Sequence, residues 1–138
     1  MAILLKTVSR RNPLMPEAPL KYYPVQKTIK MIDESTVADL IADETTLNPA
    51  EALMAIRQLC KVLLRELMNS NSVQLGNWGS FGITLSSTGS ETAELVKATN
   101  VKRVNVRFTP GTEMKDALKK AQFAWIEKPE KAEEKKKE

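Results

Sequence analysis

Between Ser72 and Leu85 the chain reads Ser-Val-Gln-Leu-Gly-Asn-Trp-Gly-Ser-Phe-Gly-Ile-Thr-Leu, and no other stretch limits the possible folds as much. Val73 and Leu75 alternate with polar neighbours, and Phe81, Ile83 and Leu85 do the same after a turn. That two-residue period belongs to half-buried strands. Gly76 and Gly79 bracket Asn77-Trp78, so the chain can take positive φ on either side of the tryptophan. A hairpin follows, and the rest of the chain is arranged around it.

Two helices are expected before the hairpin. Asp33, Ser35 and Thr36 are all possible N-caps for the first, whose apolar face holds Val37, Leu40 and Ile41 beside Glu44. Asn48-Pro49-Ala50-Glu51 starts the second: an N-cap asparagine, proline at the first helical position, and glutamate three after the cap. It runs to about Met68. Leu53, Ile56, Cys60, Leu63 and Leu67 form its main stripe, Met54, Leu59, Val62 and Leu64 widen it, and Arg57, Gln58, Lys61, Arg65 and Glu66 face away. One short helix cannot cover so wide a stripe, so a two-fold dimer with a shared core is expected.

After the hairpin, residues 86–100 lose the alternation and suit a loop or mobile arm. Val101 to Phe108 regains it, with Val104, Val106 and Phe108 on one side and Arg103, Asn105 and Arg107 on the other. Pro110-Gly111 ends that strand. Thr112 is a possible cap for a third helix with Met114, Ala117, Leu118 and Ala121 on its apolar side and Lys115, Lys119 and Lys120 on or near its polar side.

The ends differ from this middle. Pro13, Pro16 and Pro19 exclude helix from the first twenty residues, leaving an edge strand at 2–8 and a proline-rich linker. Lys21–Met31 is more strand-like, and Pro24 puts it at a sheet edge. The expected division is an N-terminal extension at 1–32, one α+β domain at 33–126, and a disordered Glu/Lys tail at 127–138.

Composition narrows the function classes. The chain of 138 residues has no histidine, which removes the commonest general base and metal ligand. Cys60 is alone, so no intrachain disulfide can form and a reducing compartment fits. Without a signal-peptide pattern or a membrane-length apolar run, a soluble, cytoplasmic protein is expected, with no membrane partner. Nothing points to catalysis, a cofactor, a metal or a small-molecule substrate; Asp39, Asp43 and Glu44 lack the loop geometry of a cation site. Net charge is +4, concentrated at Lys6, Arg10, Arg11, Lys21, Lys27 and Lys30, with a smaller cluster at 102–120. Those clusters suit a polyanion as well as they suit plain solvated surface.

The order of elements, with Leu47-Asn48-Pro49-Ala50-Glu51-Ala52, Val73-Gln74-Leu75-Gly76-Asn77-Trp78-Gly79-Ser80-Phe81, Phe108-Thr109-Pro110-Gly111 and Met114-Lys115-Asp116-Ala117-Leu118, resembles the HU and integration host factor family of bacterial histone-like proteins. The match spans about residues 35–123. The extension with Tyr22-Tyr23 and the plain arm look more like an extended HU-related subgroup. The resemblance implies an HU-like α+β fold: a two-helix base, an antiparallel sheet with an arm, and a C-terminal helix, in an intertwined homodimer. It also implies a nucleoid-associated protein that binds double-stranded DNA with low sequence specificity. In that family basic arms reach around the duplex and a proline at each arm tip inserts between base steps.

This sequence departs from the pattern at the arm. Residues 86–100 carry Glu91 and Glu94 against Lys97, with no proline or arginine, while Arg10-Arg11-Asn12-Pro13 places a similar tetrapeptide in the extension. The candidate DNA contacts are Arg103, Asn105 and Arg107 on one strand face, with Lys102, Lys97, Lys115, Lys119, Arg10 and Arg11 as weaker additions. The competing expectation is an HU-fold scaffold or protein-interaction dimer that has lost DNA bending. Trp78 is expected to be structural, Phe81 and Phe108 core, and Cys60 a buried small hydrophobe.

Overall fold

Local side-chain chemistry sets where the helices begin and end. In the computed structural model, which describes residues 1–126, the elements run β1 (Ile3–Arg10), β2 (Lys21–Gln26), α1 (Glu34–Glu44), α2 (Pro49–Met68), β3 (Val73–Leu75), β4 (Gly79–Ser87), β5 (Val101–Pro110), α3 (Thr112–Lys119) and β6 (Phe123–Trp125). The tail expected to be disordered, 127–138, lies outside the described residues. Asp33 caps α1 by accepting from the Thr36 N–H and hydroxyl at 2.9 and 2.7 Å. Asn48 and Glu51 form a reciprocal capping box at the start of α2, at 2.9 and 3.1 Å. Its far end closes with Ser70 at φ 64°. The Ser70 N–H donates to Leu67 C=O and the Asn71 N–H to Glu66 C=O, the Schellman pattern that usually takes glycine.

The chain divides into two compact units. Ile32–Lys119 forms one, and Met1–Met31 with residues 120–126 forms the other. In the first, α1 packs on α2. Ala38 and Ala52 are each 1% exposed and Leu67 5%, and these three are the only buried apolar residues among those described. Arg57 faces away from the apolar stripe as expected and stays exposed, and it donates from Nε and Nη2 to Glu34 Oε1 at 3.2 and 2.7 Å, tying the two helices.

The sheet of this unit is antiparallel in the order β3-β4-β5. Phe81 stands opposite both Val73 and Phe108. With Trp78, which is 45% exposed, the two phenylalanines form a tilted aromatic cluster at centroid distances of 4.9–6.4 Å; in one chain the phenylalanines, expected in the core, are half-buried. The two turn glycines serve different ends. Gly76 takes φ 55°, but Gly79 does not have positive φ; a Cβ there would sit 2.5 Å from the Phe108 ring and 2.8 Å from the Thr109 carbonyl. Close strand approach, not turn geometry, requires Gly79. The Gly111 N–H donates to Trp78 C=O at 2.8 Å and the Glu113 N–H to Asn77 C=O at 3.2 Å, so the start of α3 is fastened to the hairpin turn.

The arm is a folded loop with two single 3₁₀ turns, at Ala93–Leu95 and Ala98–Asn100. Asn100 closes it. Its side-chain amide donates to Thr88 C=O at 3.1 Å and to Ser90 Oγ at 3.0 Å, while Oδ1 accepts from the Lys97 N–H at 3.0 Å.

The second unit corrects one expectation. Its sheet has the order β2-β1-β6, so β1 is a central strand instead of the expected edge. The cause is β6, which runs parallel to β1 with Ile3, Leu4 and Leu5 opposite Phe123, Ala124 and Trp125. Residues 120–126 thus pack with the N-terminal strands in this unit. β2 does hold an edge, with Pro24 opposite Thr7.

Candidate nucleic-acid interface

Register decides which side chains of the β4–β5 ribbon share a face. Ser80 pairs with Thr109, Gly82 with Arg107, Thr84 with Asn105 and Ser86 with Arg103. Directly opposed residues of an antiparallel pair project to the same side. One face of the ribbon therefore holds two arginines, an asparagine and small hydroxyl residues, without a carboxylate. The other holds Phe81, Ile83, Leu85, Val104, Val106 and Phe108. The division expected for Arg103, Asn105 and Arg107 is the one the strands adopt, and Asn105 Nδ2 reaches across to Ser86 Oγ at 3.5 Å.

Both arginines are exposed and neither has a carboxylate within ion-pair distance among the described residues. Four residues of strand separate them by about 13 Å, comparable to roughly four base-pair steps of duplex. Ser80, Thr84, Ser86 and Thr109 were not singled out from the sequence. Their signal was the alternation Ser80-x-Gly82-x-Thr84-x-Ser86, polar in phase with the arginines.

The remaining candidates are dispersed. Lys102 is the extra residue where the register shifts, because Ser86 pairs with Arg103 and Ser87 with Val101. Lys97 precedes the second 3₁₀ turn of the arm. Lys115 lines a recess of about 310 Å³ with Gln74, Asn77 and Thr109 at the root of the hairpin. Lys119 Nζ lies 3.7 Å from Asp116 Oδ1, so part of its charge is already matched. Arg10 and Arg11 belong to the other unit, at the end of β1 and the start of the loop to β2.

The charged groups with shifted titration lie in and just beyond the helical base, away from this face. Glu34 is held below its ordinary value of 4.5, chiefly by the hydrogen bond from Arg57. Arg57 is raised by the same contact. Hydrogen bonds from Asn71 and then Arg65 lower Glu66, and those of Thr36 lower Asp33. All serve caps and helix contacts. Among the described residues no three metal-ligating side chains come together, and no helix is long and apolar enough to cross a membrane.

Cys60 corrects a further expectation. It lies on the apolar stripe of α2 but is exposed, because nothing else in the described chain covers that part of the helix. Leu59, Leu64 and Met68 on α2, and Leu85, Val104 and Val106 on the sheet, share that exposure.

Residues 1–124 match the model of a family described as HU domains fused to a winged helix-turn-helix, Ig or glycine-rich motif. No curated protein matches in sequence. Among solved structures, the chain is similar to a protein of Bacteroides vulgatus ATCC 8482 described as a candidate bacterial DNA-binding protein. The identity is 15% and the TM-score 0.64, over 94% of this chain and 50% of that one. At that identity the likeness speaks for fold alone, and the chain spans half the length of that protein.

Proposed function

The chain belongs to the HU-HIG family, whose model it matches over residues 1–124, and from that membership we propose that it binds duplex DNA with low sequence specificity. The observation that carries this reading is the carboxylate-free face of the β4–β5 ribbon, where Arg103 and Arg107 flank Asn105. Arginines on such a face contact phosphates, and Asn105 between them can meet groove edges. The role is architectural and non-enzymatic, and the nucleoid of the cytoplasm is where it is exerted.

The working form is a dimer. One chain leaves Leu59, Leu64 and Met68 of α2 and Leu85, Val104 and Val106 of the sheet exposed, and buries only three apolar residues among those described. A second copy supplies the missing cover.

The arm sets how the DNA is held. With Glu91, Glu94 and no proline it offers neither the charge nor the wedge for kinking a base step, so binding without strong bending at the arm is expected. The same feature favours a second reading, an HU-fold scaffold for other proteins.

A random-sequence duplex titrated at two salt concentrations separates the two. Binding that weakens steeply with salt supports the DNA reading, and no binding even at low salt supports the scaffold. Arg103→Glu/Arg107→Glu should abolish binding with the dimer intact; unchanged affinity would move the site off this face.

A further inference from the structure

The segment that carries β1 into β2 has a chemistry the ribbon does not explain. Arg10 stands directly opposite Lys21 as the last pair of the hairpin ladder, and Arg11 follows at once. Like charges directly opposed across an antiparallel pair are destabilising. Neither residue has a carboxylate within ion-pair distance among the described residues, and Glu17, the loop's one acidic residue, does not line the cleft between them. Such a cluster is stabilised by an anion from outside.

The cleft is an open recess of about 550 Å³, lined by Arg10, Arg11, Asn12, Lys21, Tyr23 and Met15 among others. Two turns build the loop beneath it. The Met15 N–H donates to Asn12 C=O at 3.1 Å and the Ala18 N–H to Met15 C=O at 2.9 Å. The Leu14 N–H donates to Asn12 Oδ1 at 3.0 Å, which leaves the asparagine amide nitrogen to donate elsewhere. Pro13, Pro16 and Pro19 restrict the backbone, so little freedom remains to be lost on binding. Three cations and an amide donor on a preorganised loop, with a tyrosine ring and a methionine beside them, match a phosphodiester flanked by sugar and base.

We propose that this cleft is a second nucleic-acid site, which holds the phosphodiester backbone through Arg10, Arg11 and Lys21 with Tyr23 against the adjoining sugar or base. The proposal rests on the DNA-binding reading for its biological setting, but its site lies in the other unit of the chain and can fail alone. It assigns the family-model region preceding the helices a binding role of its own.

Two probes applied to the full-length protein test it. In a 20-base-pair duplex titration followed by anisotropy, Arg10→Gln/Arg11→Gln/Lys21→Gln should lower the slope of log affinity against log salt by about 2 to 3, at roughly 0.9 per phosphate contact. In amide-resolved NMR the single-stranded tetranucleotide dT4, which offers the ribbon no duplex groove, should shift residues 10–23 of the unaltered protein and leave 80–109 unmoved. Absence of shifts at 10–23 with either DNA overturns the proposal, whether or not the duplex binds elsewhere. Loss of duplex binding in Arg103→Glu/Arg107→Glu, with dT4 shifts retained, separates the cleft from the ribbon. If dT4 shifts residues 10–23 while no duplex binds at low salt, the DNA reading of the ribbon fails and the cleft stands. Inorganic phosphate reproducing the dT4 shifts at equal concentration also overturns it, because the cleft is then a general anion site.

Discussion

Ser70 and Gly79 show how much of the stability of this fold rests on single backbone positions. Ser70 holds the left-handed place of a helix-ending motif where glycine has no Cβ penalty. Ser70→Gly should therefore stabilise the protein by about 0.5–1 kcal/mol, read from the urea midpoint. Gly79→Ala should act the other way, by about 1–3 kcal/mol, since its Cβ would meet the Phe108 ring and a carbonyl. A destabilising Ser70→Gly would refute the first argument, and a neutral or stabilising Gly79→Ala the second. The sequence marked Gly79 as special but for the wrong reason, because a close approach depends on Phe108, a partner 29 residues away. The tie between Arg57 and Glu34 was hidden likewise: helical spacing shows which side of α2 a residue occupies, not what waits there. That contact has a pH signature. Folded Glu34 and Glu66 titrate below their ordinary 4.5, and Asp33 below 3.8. Depressed folded values stabilise above the unfolded values and lose that contribution as pH falls through the folded ones. The urea midpoint should thus decline below about pH 4.5, and Glu34→Gln should make the decline shallower. An identical acid limb in the variant would show that the Arg57 contact contributes nothing.

Elements built from local rules were the legible ones. The cap of α2 could be read from Asn48, Pro49 and Glu51, and both of its reciprocal hydrogen bonds form. Asn48→Ala should lower stability by about 1 kcal/mol in thermal or urea unfolding, and no change would mean the cap is replaced by solvent. The alternation in β4 and β5 likewise announced both faces of the ribbon, including the one proposed for DNA. β6 was not legible. Phe123-Ala124-Trp125 is too short for a period to show, and its partner Ile3-Leu4-Leu5 lies at the opposite end of the sequence. The arm falls between these cases. Loss of alternation after Ser87 signalled a loop, but nothing in its composition showed that Asn100 would fasten it to Thr88 and Ser90. Asn100→Ala removes three hydrogen bonds of one side chain at once. Amide exchange across 88–100 should accelerate at least tenfold, while the helices keep their protection. Unaltered exchange in the loop would mean that the 3₁₀ turns alone hold it.

At the scale of the molecule, the width of the apolar stripe on α2 carries the argument. A chain of this size ordinarily encloses a core of its own, yet among the described residues only Ala38, Ala52 and Leu67 are buried. Exposed apolar residues on α2 and on the ribbon's inner face form too much surface to be left in water. The exposure of Cys60, like that of Leu59 and Leu64 on the same stripe, has the same origin: the core is incomplete in one chain. If a second copy completes it, folding and association are one equilibrium, and stability must depend on protein concentration. Sedimentation should give twice the 15.4 kDa of the chain, and the melting temperature should rise with each tenfold increase in concentration. Leu64→Glu, which puts a charge among exposed leucines of α2, should shift the equilibrium to monomer, lower the melting temperature, and reduce DNA affinity in step with the lost dimer. A monomer at micromolar concentration with a sharp, concentration-independent transition would overturn the dimer. DNA affinity unchanged in a monomeric Leu64→Glu protein would instead show that one ribbon face suffices for binding.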